Sequence, residues 1–153
     1  MNMAFKVITF KIGGVPFALD INSVESVVEL ESITKIPDAP YEIEGVMNLR
    51  GEILPIIDGK KRLGEGVENG EGEKVIVVNF ENTKYGLIVD AVDEVMNVSE
   101  EEVEEVMVTK ASYVSGIIKK GGDLIVLLNP DIVGKEVLQS VLGVKRGGVE
   151  VDK

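Results

Sequence analysis

The sequence predicts a mostly-β protein built from two small β-barrels that are related by an internal repeat. The segment Gly45–Asp58 is matched by Gly116–Asn129: each has a glycine, two apolar residues, a polar break, another glycine, an acid and a strand. Upstream residues repeat as well, since Lys6-Val7-Ile8 recurs as Lys74-Val75-Ile76. Many short β-forming segments joined by glycine-rich turns are typical of small barrels.

The length and composition indicate how the two units are stabilised. The chain has 153 residues, so each unit is near the lower size limit for a domain with its own core. We therefore expect the two lobes to share a core or to exchange an element. Aromatic residues make up only 5% of the chain, which predicts aliphatic cores.

The first half begins with a predicted hairpin. Phe5–Ile12 alternates apolar and polar residues, Gly13-Gly14 is a tight-turn signal, and Val15–Leu19 is the return strand. Pro16 predicts that the return strand lies at a sheet edge, because proline cannot donate a backbone hydrogen bond.

A short helix is predicted after this hairpin. Asp20 and Asn22 are of the residue types that cap helices, and Val24, Val27 and Val28 follow at the helical spacing i, i+3 and i+4. These valines are expected to face the core.

A second hairpin and a connector complete the first half. Gly45–Leu49 and Glu52–Ile57 are predicted strands joined by Arg50-Gly51, and Lys60–Leu63 is a short basic turn. Gly64–Glu73 is rich in glycine and glutamate, which predicts a solvated linker between the lobes.

The second half repeats this order. Lys74–Phe80 and Lys84–Asp90 are predicted to form a hairpin, and Val92–Val98 is either a helical turn or a bent strand. Ser99–Glu102 has the sequence of a capping box, which predicts a short helix. Tyr113–Lys120 and Asp123–Leu128 form the last predicted hairpin.

A helix and a tail end the chain. Asn129 and Pro130 are preferred at helix starts, and Gly143 is a preferred stop, so a C-terminal helix is predicted between them. Residues 144–153 are expected to be a flexible tail.

The charge of the chain argues against several classes of partner. Acidic residues outnumber basic ones by 27 to 16, and the net charge is -11 at pH 7. This charge opposes binding to nucleic acid and to anionic membranes. The longest apolar runs have the length of a strand, so no membrane insertion is expected. No signal peptide is visible and cysteine is absent, which agrees with a cytoplasmic protein.

The residue types also exclude most catalytic chemistry. Histidine and cysteine are both absent, so the chain has no imidazole base, no thiolate nucleophile and none of the usual transition-metal ligands. The glycine-rich connector lacks the glycine spacing and the lysine of a phosphate loop. We therefore predict a protein that is not an enzyme and binds neither metal nor cofactor, with a carboxylate enzyme as the least favoured alternative.

The hairpin tip around Arg50 differs from its repeat. The equivalent tip in the second half is Lys119–Gly122, a simple polar turn. An exposed turn residue is one interpretation of Arg50. The other is a binding residue, because arginine forms a fixed bidentate fork to carboxylates and loops carry function. These residues alone leave both interpretations open.

Several segments together resemble the chemotaxis coupling protein family, CheW. The stretch GVMNLRGEILP at Gly45–Pro55 closely resembles the signature of that family, and the resemblance extends over residues 5–142. The other segments that agree in sequence and spacing are Phe17–Ile21 with Val24, Tyr85–Asp90, Tyr113–Gly116 and Leu124–Asn129.

The resemblance implies a fold and its domain limits. It implies two SH3-like five-stranded β-barrel lobes in a pseudo-repeat, with a shared core, short helices and a C-terminal helix. The whole domain is expected over residues 4–143. The lobes are expected at about 13–63 and 74–143 with a linker at 64–73, and the strand at 5–12 is a candidate for sharing between them.

The resemblance also implies a function. Family members are non-enzymatic adaptors that join the cytoplasmic helical tips of chemoreceptors to the regulatory domain of the histidine kinase CheA, in the cytoplasm at membrane receptor arrays. The family's receptor-facing groove lies between the lobes. The partner-binding residues that the resemblance implies are Val24, Gly45, Asn48, Leu49, Arg50 and Gly51.

One residue departs from the family pattern. Many members have a glutamate two residues after the position of Val24, where it pairs with the signature arginine. Here that position is Ser26, and Glu25 and Glu29 are the acids that remain nearby.

Two alternatives stay open at this point. The same module occurs in the regulatory domain of CheA and in the front half of CheV-type proteins, but no kinase ATP site or receiver domain is visible, which favours a stand-alone adaptor. A small-molecule-binding double β-barrel is the alternative function. The sequence offers no cluster of aromatic and polar residues for such a pocket.

Overall fold

The computed structural model describes residues 3–64, 72–105 and 109–139. Strands dominate these ranges, which confirms the predicted mostly-β fold. The strands of the described residues are β1 (Ala4–Ile12), β2 (Val15–Asp20), β3 (Val24–Glu29), β4 (Ile43–Leu49), β5 (Glu52–Asp58), β6 (Lys74–Phe80), β7 (Thr83–Val89), β8 (Ala91–Ser99), β9 (Val103–Glu104), β10 (Val114–Lys120) and β11 (Asp123–Leu128). The helices are two 3₁₀ turns, Ile21–Ser23 and Glu100–Glu102, with α1 (Gly59–Leu63) and α2 (residues 130–139).

The strands form two sheets. Sheet 1 has the order β8-β1-β2-β11-β10-β9, and sheet 2 has the order β3-β6-β7-β5-β4. Neighbours are antiparallel except for the parallel pairs β2–β11 and β5–β7. Sheet 1 has a sixth strand, the two-residue β9, beside the five that were predicted. The corresponding edge of sheet 2 holds an isolated bridge between Thr34 and Val46.

The sheets divide the chain differently from the predicted lobes at 13–63 and 74–143. Strand β1 pairs with β8 of the second half, and the whole β1–β2 hairpin lies between β8 and β11. In return, the β6–β7 hairpin lies between β3 and β5. Each half therefore supplies two neighbouring inner strands of the other half's sheet, which agrees with the small size of each half. Residues 65–71 of the linker predicted at 64–73, and the predicted tail at 144–153, lie outside the described residues.

The repeat predicted from sequence is present in the strand registers. The parallel pair Ile56↔Gly86 in sheet 2 corresponds to Leu127↔Ala18 in sheet 1 when the repeats are aligned. The hairpins β4–β5 and β10–β11 each have a bulge at the first glycine of the repeated motif, Gly45 and Gly116.

Three hydrophobic clusters follow the same symmetry. One cluster lies in sheet 2 around Leu54 and Val75, and an equivalent one lies in sheet 1 around Val7 and Ile125. The third and largest cluster takes residues from both sheets and from α2, so the lobes share a core as expected. Its fully or nearly fully buried members are Ile8, Phe10, Ile12, Phe17, Leu19, Ile57, Ile76, Val78, Tyr85, Leu87, Val89, Leu128, Val133 and Val137.

Two local predictions in the first half are wrong. The helix predicted from Val24, Val27 and Val28 is reduced to the 3₁₀ turn before it, and Val24–Glu29 is a strand paired with β6. These β-branched residues suit a pleated strand, and the long-range pairing with β6 overrides the helical spacing. Strand β2 is central and not an edge strand. Pro16 is tolerated there because the pairing with β11 begins only at Phe17.

Other local predictions are confirmed. The segment containing Val92–Val98 is a strand, β8, and Glu100–Glu102 is a short 3₁₀ turn. The Ser99 backbone N–H donates to the Glu102 carboxylate at 3.0 Å, as a capping box requires. Asn129 caps α2, since its Oδ1 accepts from the backbone N–H of Asp131 at 3.0 Å.

Candidate partner-binding surface

The signature hairpin places four of the predicted site residues at one turn. Leu49 pairs with Glu52, so Arg50 and Gly51 are the two residues of the turn. Both have positive φ, 53° for Arg50 and 87° for Gly51, as in the tight turns that match strand twist. Asn48 holds this turn, because its Oδ1 accepts a hydrogen bond of 2.8 Å from the Gly51 backbone N–H.

These residues have different roles in the turn. Leu49 is half-buried and packs on the core of sheet 2, and Asn48 is engaged with the backbone. Arg50 is exposed, and its guanidinium makes no hydrogen bond or salt bridge to any residue in the described ranges. Arg50 is therefore the side chain of this tip that is available to a partner.

Gly45 lies inside the hairpin and has a structural reason to be glycine. It sits at the bulge of β4 with φ of 152°, and a Cβ there would lie 2.3 Å from the Thr34 carbonyl oxygen. The equivalent Gly116 is also crowded, with a Cβ position 2.8 Å from the Glu104 carbonyl oxygen. A side chain at either position would push the neighbouring segment off the hairpin.

Val24 lies on a different strand, at the seam between the sheets. It is half-buried at the start of β3 and packs on the shared core, as its repeat Val92 does. Two further valines on the same strands are exposed, Val27 at 39% and Val95 at 50%. The predicted site thus comprises an apolar seam that includes Val24 and a polar tip that carries Arg50.

An acid–base network lies beside the tip, at the same end of sheet 2. Glu25 follows Val24. One of its carboxylate oxygens accepts a hydrogen bond from the Asn79 side chain at 3.0 Å, and the other lies 3.3 Å from the ammonium of Lys84. Lys84 also reaches Glu52 at 2.7 Å. The start of β3 and the tips of the β4–β5 and β6–β7 hairpins are joined in this way.

The charges in this network shift the titration of its members. Hydrogen bonds from Asn79 and Lys84, assisted by the charges of Lys84 and Arg50, lower the pKa of the Glu25 carboxyl. The carboxylates of Glu52 and Glu25 raise the pKa of Lys84. Sequence reasoning missed Lys84 and Asn79, because they lie on a hairpin from the other half of the chain and match no motif.

Ser26 occupies the position where many family members have a glutamate. The Ser26 hydroxyl is buried and has no hydrogen-bond partner among the described residues. Of the two acids that remained, Glu29 is paired with Lys74, whereas Glu25 lies close enough to Arg50 to feel its charge. Neither acid makes a salt bridge to Arg50.

A groove of about 1010 Å³ lies next to the network. It runs between β5, the segment 36–43, the β6–β7 tip and α2. The described residues that line it include no aromatic side chain. Its main apolar and charged lining residues are Ile36, Pro40, Ile53, Pro55, Lys84 and Leu138.

The described residues offer neither a metal site nor a membrane-spanning helix. Within those ranges no group of three or more acidic side chains is arranged to hold a metal ion. No helix in them is long and apolar enough to cross a membrane.

Comparison with known proteins identifies the family. The CheW-like domain matches residues 6–136. The chain is 32% identical to the chemotaxis protein CheW of Treponema pallidum over 82% of this chain and 79% of that protein. It is 31% identical to the CheW of Bacillus subtilis over 90% and 92% of the two chains.

A solved structure agrees with these sequence matches. The crystal structure of the scaffolding protein TtCheW from Thermoanaerobacter tengcongensis superposes with a TM-score of 0.75 at 40% identity, covering 83% of this chain and 90% of that one. These relatives are chemotaxis and scaffolding proteins, and membership of their family confirms the prediction of a non-enzymatic scaffold. The chain therefore belongs to the CheW-like domain family of chemotaxis scaffold proteins.

Proposed function

We propose that this protein is an adaptor that couples the cytoplasmic tips of chemoreceptors to the regulatory domain of the histidine kinase CheA. The observation that carries the proposal is the signature hairpin tip. In sheet 2 this tip carries Arg50, which is exposed and makes no salt bridge to any described residue. The equivalent tip in sheet 1 is a simple polar turn. Membership of a scaffold family supports the same function.

A receptor tip would bind along the valine seam. Such a tip is a helical hairpin, and its apolar face suits a groove lined by aliphatic side chains. Val24 is half-buried at this seam, and Val27 and Val95 are exposed on the strands that border it. Arg50 lies at the same end of sheet 2 and would contact the polar flank of the partner.

The kinase regulatory domain would dock on the ends of the sheets. That domain has the same kind of fold as this protein, so contacts between barrels can imitate the contact between the two sheets here. Each sheet exposes one equivalent aliphatic side chain near its hairpin tip, Ile53 in sheet 2 at 64% and Leu124 in sheet 1 at 60%. Two such ends allow head-to-tail contacts, which close into rings or continue as filaments.

A cellular location follows from the proposed function. The proposed location is the cytoplasm, with recruitment to membrane receptor arrays through receptor binding. At a net charge of -11 the protein would be repelled by anionic lipid, so its recruitment would depend on protein contacts.

Substitution of Arg50 tests the proposal. We expect Arg50→Glu to weaken binding to a receptor-tip fragment or to the CheA regulatory domain, while the free energy of unfolding changes by less than about 0.5 kcal/mol. Isothermal titration calorimetry with each partner measures the affinity, and Lys110→Glu, at an exposed lysine outside both hairpin tips, is the control for charge. Unchanged affinity for both partners would argue against a binding role for Arg50.

The same titrations examine how the partners are held. With apolar docking, binding to the kinase domain should show a negative heat-capacity change and only a modest dependence on salt, because exposed rim charges mainly set the association rate. A steep loss of affinity with salt, without a heat-capacity change, would contradict apolar docking.

The alternative is a small-molecule-binding double β-barrel. The groove between β5 and α2 is large enough for a small ligand. Its described lining lacks aromatic side chains and carries paired charges such as Lys84 with Glu52, which is a poorer match to a ligand pocket. If neither protein partner binds in the titrations, this alternative is favoured.

A further inference from the structure

We infer that Lys84 is a positioning residue for binding of the CheA regulatory domain. It holds the carboxylates of Glu25 and Glu52 in ion pairs and thereby leaves Arg50 free for that domain. This role rests on the proposed function, which supplies the partner. The kinase domain is the partner concerned, because Lys84 lies at the hairpin-tip end of sheet 2 and Glu52 directly precedes Ile53, the exposed aliphatic side chain of that end.

Lys84 occupies the middle of a polar row that crosses four neighbouring strands. The strands β3, β6, β7 and β5 are adjacent in sheet 2, and in that order they carry Glu25, Asn79, Lys84 and Glu52. Asn79 lies opposite Lys84 in the β6–β7 hairpin. The ammonium of Lys84 is 3.3 Å from one oxygen of Glu25 and 2.7 Å from Glu52. One cation therefore engages the acids on both sides of it.

Arg50 lies close to the same acids. It belongs to the turn directly before Glu52. Hydrogen bonds from Asn79 and Lys84 lower the pKa of the Glu25 carboxyl, and the charge of Arg50 adds to this effect. Arg50 nevertheless makes no salt bridge to any described residue. The acids that could pair with Arg50 are those that Lys84 already holds, so the two cations compete for the same carboxylates.

The equivalent row in sheet 1 has its cation on a different strand. When the repeats are aligned, Lys84 corresponds to Pro16 and Asn79 corresponds to Lys11. Lys11 is 3.1 Å from Asp93, at the side of that row, and Pro16 in its middle carries no charge. The central cation is thus found in the sheet whose tip carries an exposed arginine, and the sheet with a simple polar turn has proline in its place.

Loss of the Lys84 charge should release both acids toward Arg50. A guanidinium binds a carboxylate in a bidentate fork, and a nearby acid of the same chain competes at high effective concentration with an acid of a partner. The kinase domain would then have to displace this internal pair before it could contact Arg50. Neither acid is deeply buried, so the competition should lower the affinity only moderately.

Replacement of Lys84 tests this role. We expect Lys84→Met, which keeps most of the apolar stem, to weaken binding of the CheA regulatory domain by about fivefold in isothermal titration calorimetry. Lys74→Met is the matched control, because Lys74 pairs with Glu29 across β3 and β6 at the other end of sheet 2. It should change the affinity by less than about twofold. Urea unfolding of both variants verifies that each is folded.

Two further backgrounds distinguish positioning from direct contact. The loss caused by Lys84→Met should fall below about twofold in a Glu25→Gln/Glu52→Gln background, because no acid is then released. It should also fall below about twofold in an Arg50→Gln background, because Lys84 acts through Arg50. A purely structural role of Lys84, or its own contact with the partner, would leave the loss unchanged in both backgrounds.

The titrations also distinguish this role from the adaptor function. If the wild type binds the kinase domain and Lys84→Met binds it equally well, or if the loss persists in either background, the positioning role is overturned and the adaptor function stands. A loss confined to a receptor-tip fragment would overturn it as well. If the wild type does not bind the kinase domain, the proposed function fails and the positioning role fails with it.

Discussion

At the level of residues, the side chain of Arg62 links the first half of the chain to the second. It lies on α1 of the first half, and its side chain is only 10% exposed. Its Nε donates to the Val133 carbonyl oxygen at 2.9 Å, and its terminal nitrogen donates to Ile132 at 3.1 Å and to Glu136 at 2.6 Å, all on α2. Hydrogen bonds from Ser112 and from this arginine lower the pKa of the Glu136 carboxyl.

Removal of this side chain should destabilise the protein. We expect Arg62→Ala to lower the free energy of unfolding by about 2–3 kcal/mol, because a nearly buried cation and the bonds it makes to α2 are lost together. Urea unfolding followed by circular dichroism measures the change.

The neighbouring lysine is the control for Arg62. Lys61 is half-exposed and lies 3.7 Å from Glu44 and 4.7 Å from the centre of the Tyr41 ring. Lys61→Ala should change stability by less than about 1 kcal/mol. Equal losses for the two variants would show that Arg62 is no more than a surface charge.

At the level of elements, the hairpins depend on a glycine bulge that occurs twice. Gly45 and Gly116 each begin the repeated motif at a bulge, and each leaves no room for a Cβ against a backbone oxygen of the neighbouring segment. Both repeats have glycine at this position because the same close backbone contact occurs in each, although the tips of the two hairpins differ. The bulge lets the edge segment pair with the hairpin.

A substitution at the bulge should therefore be costly. We expect Gly45→Ala to destabilise the protein by at least about 2 kcal/mol, since the clash with the Thr34 carbonyl oxygen adds to backbone strain. Gly121→Ala is the comparison: it has positive φ of 61° but open space around its Cβ position, so about 1 kcal/mol is expected. Thermal or urea unfolding measures both, and a smaller loss for Gly45→Ala would contradict the steric argument.

At the level of the whole molecule, the exchange of hairpins makes the two halves interdependent. The first half supplies β1 and β2 to the centre of sheet 1, and the second half supplies β6 and β7 to the centre of sheet 2. The shared core then joins both sheets to α2. Each sheet therefore needs both halves of the chain, and the protein should unfold in one cooperative transition.

Separation of the halves tests this interdependence. If the chain is divided between residues 64 and 72, each fragment retains only part of its own sheet and the hairpin that it supplies to the other sheet. We expect neither fragment to unfold cooperatively by itself, and an equimolar mixture to regain the β-sheet circular dichroism of the intact chain. Cooperative unfolding of either isolated fragment would disprove the dependence.

Features that depend on neighbouring residues were predictable from the sequence. The turns at Gly13-Gly14, Arg50-Gly51 and Gly121-Gly122 join strands as expected, because positive φ at a tight turn is a local requirement. The repeat and the cap of α2 at Asn129 are likewise local patterns. The sequence by itself thus determined the hairpins, the duplication and the hairpin tip that carries Arg50.

Features that depend on distant residues were decided by the tertiary structure. Val24–Glu29 has the spacing of a helix, yet its pairing with β6 makes it a strand. The position of each hairpin in the other half's sheet, the contact of Arg62 with α2, and the network of Glu25 with Lys84 all join residues far apart in the chain. Local propensities for helix and strand differ by small free energies. Burial in a shared core and backbone hydrogen bonding between paired strands contribute larger free energies, so the long-range contacts decided these features.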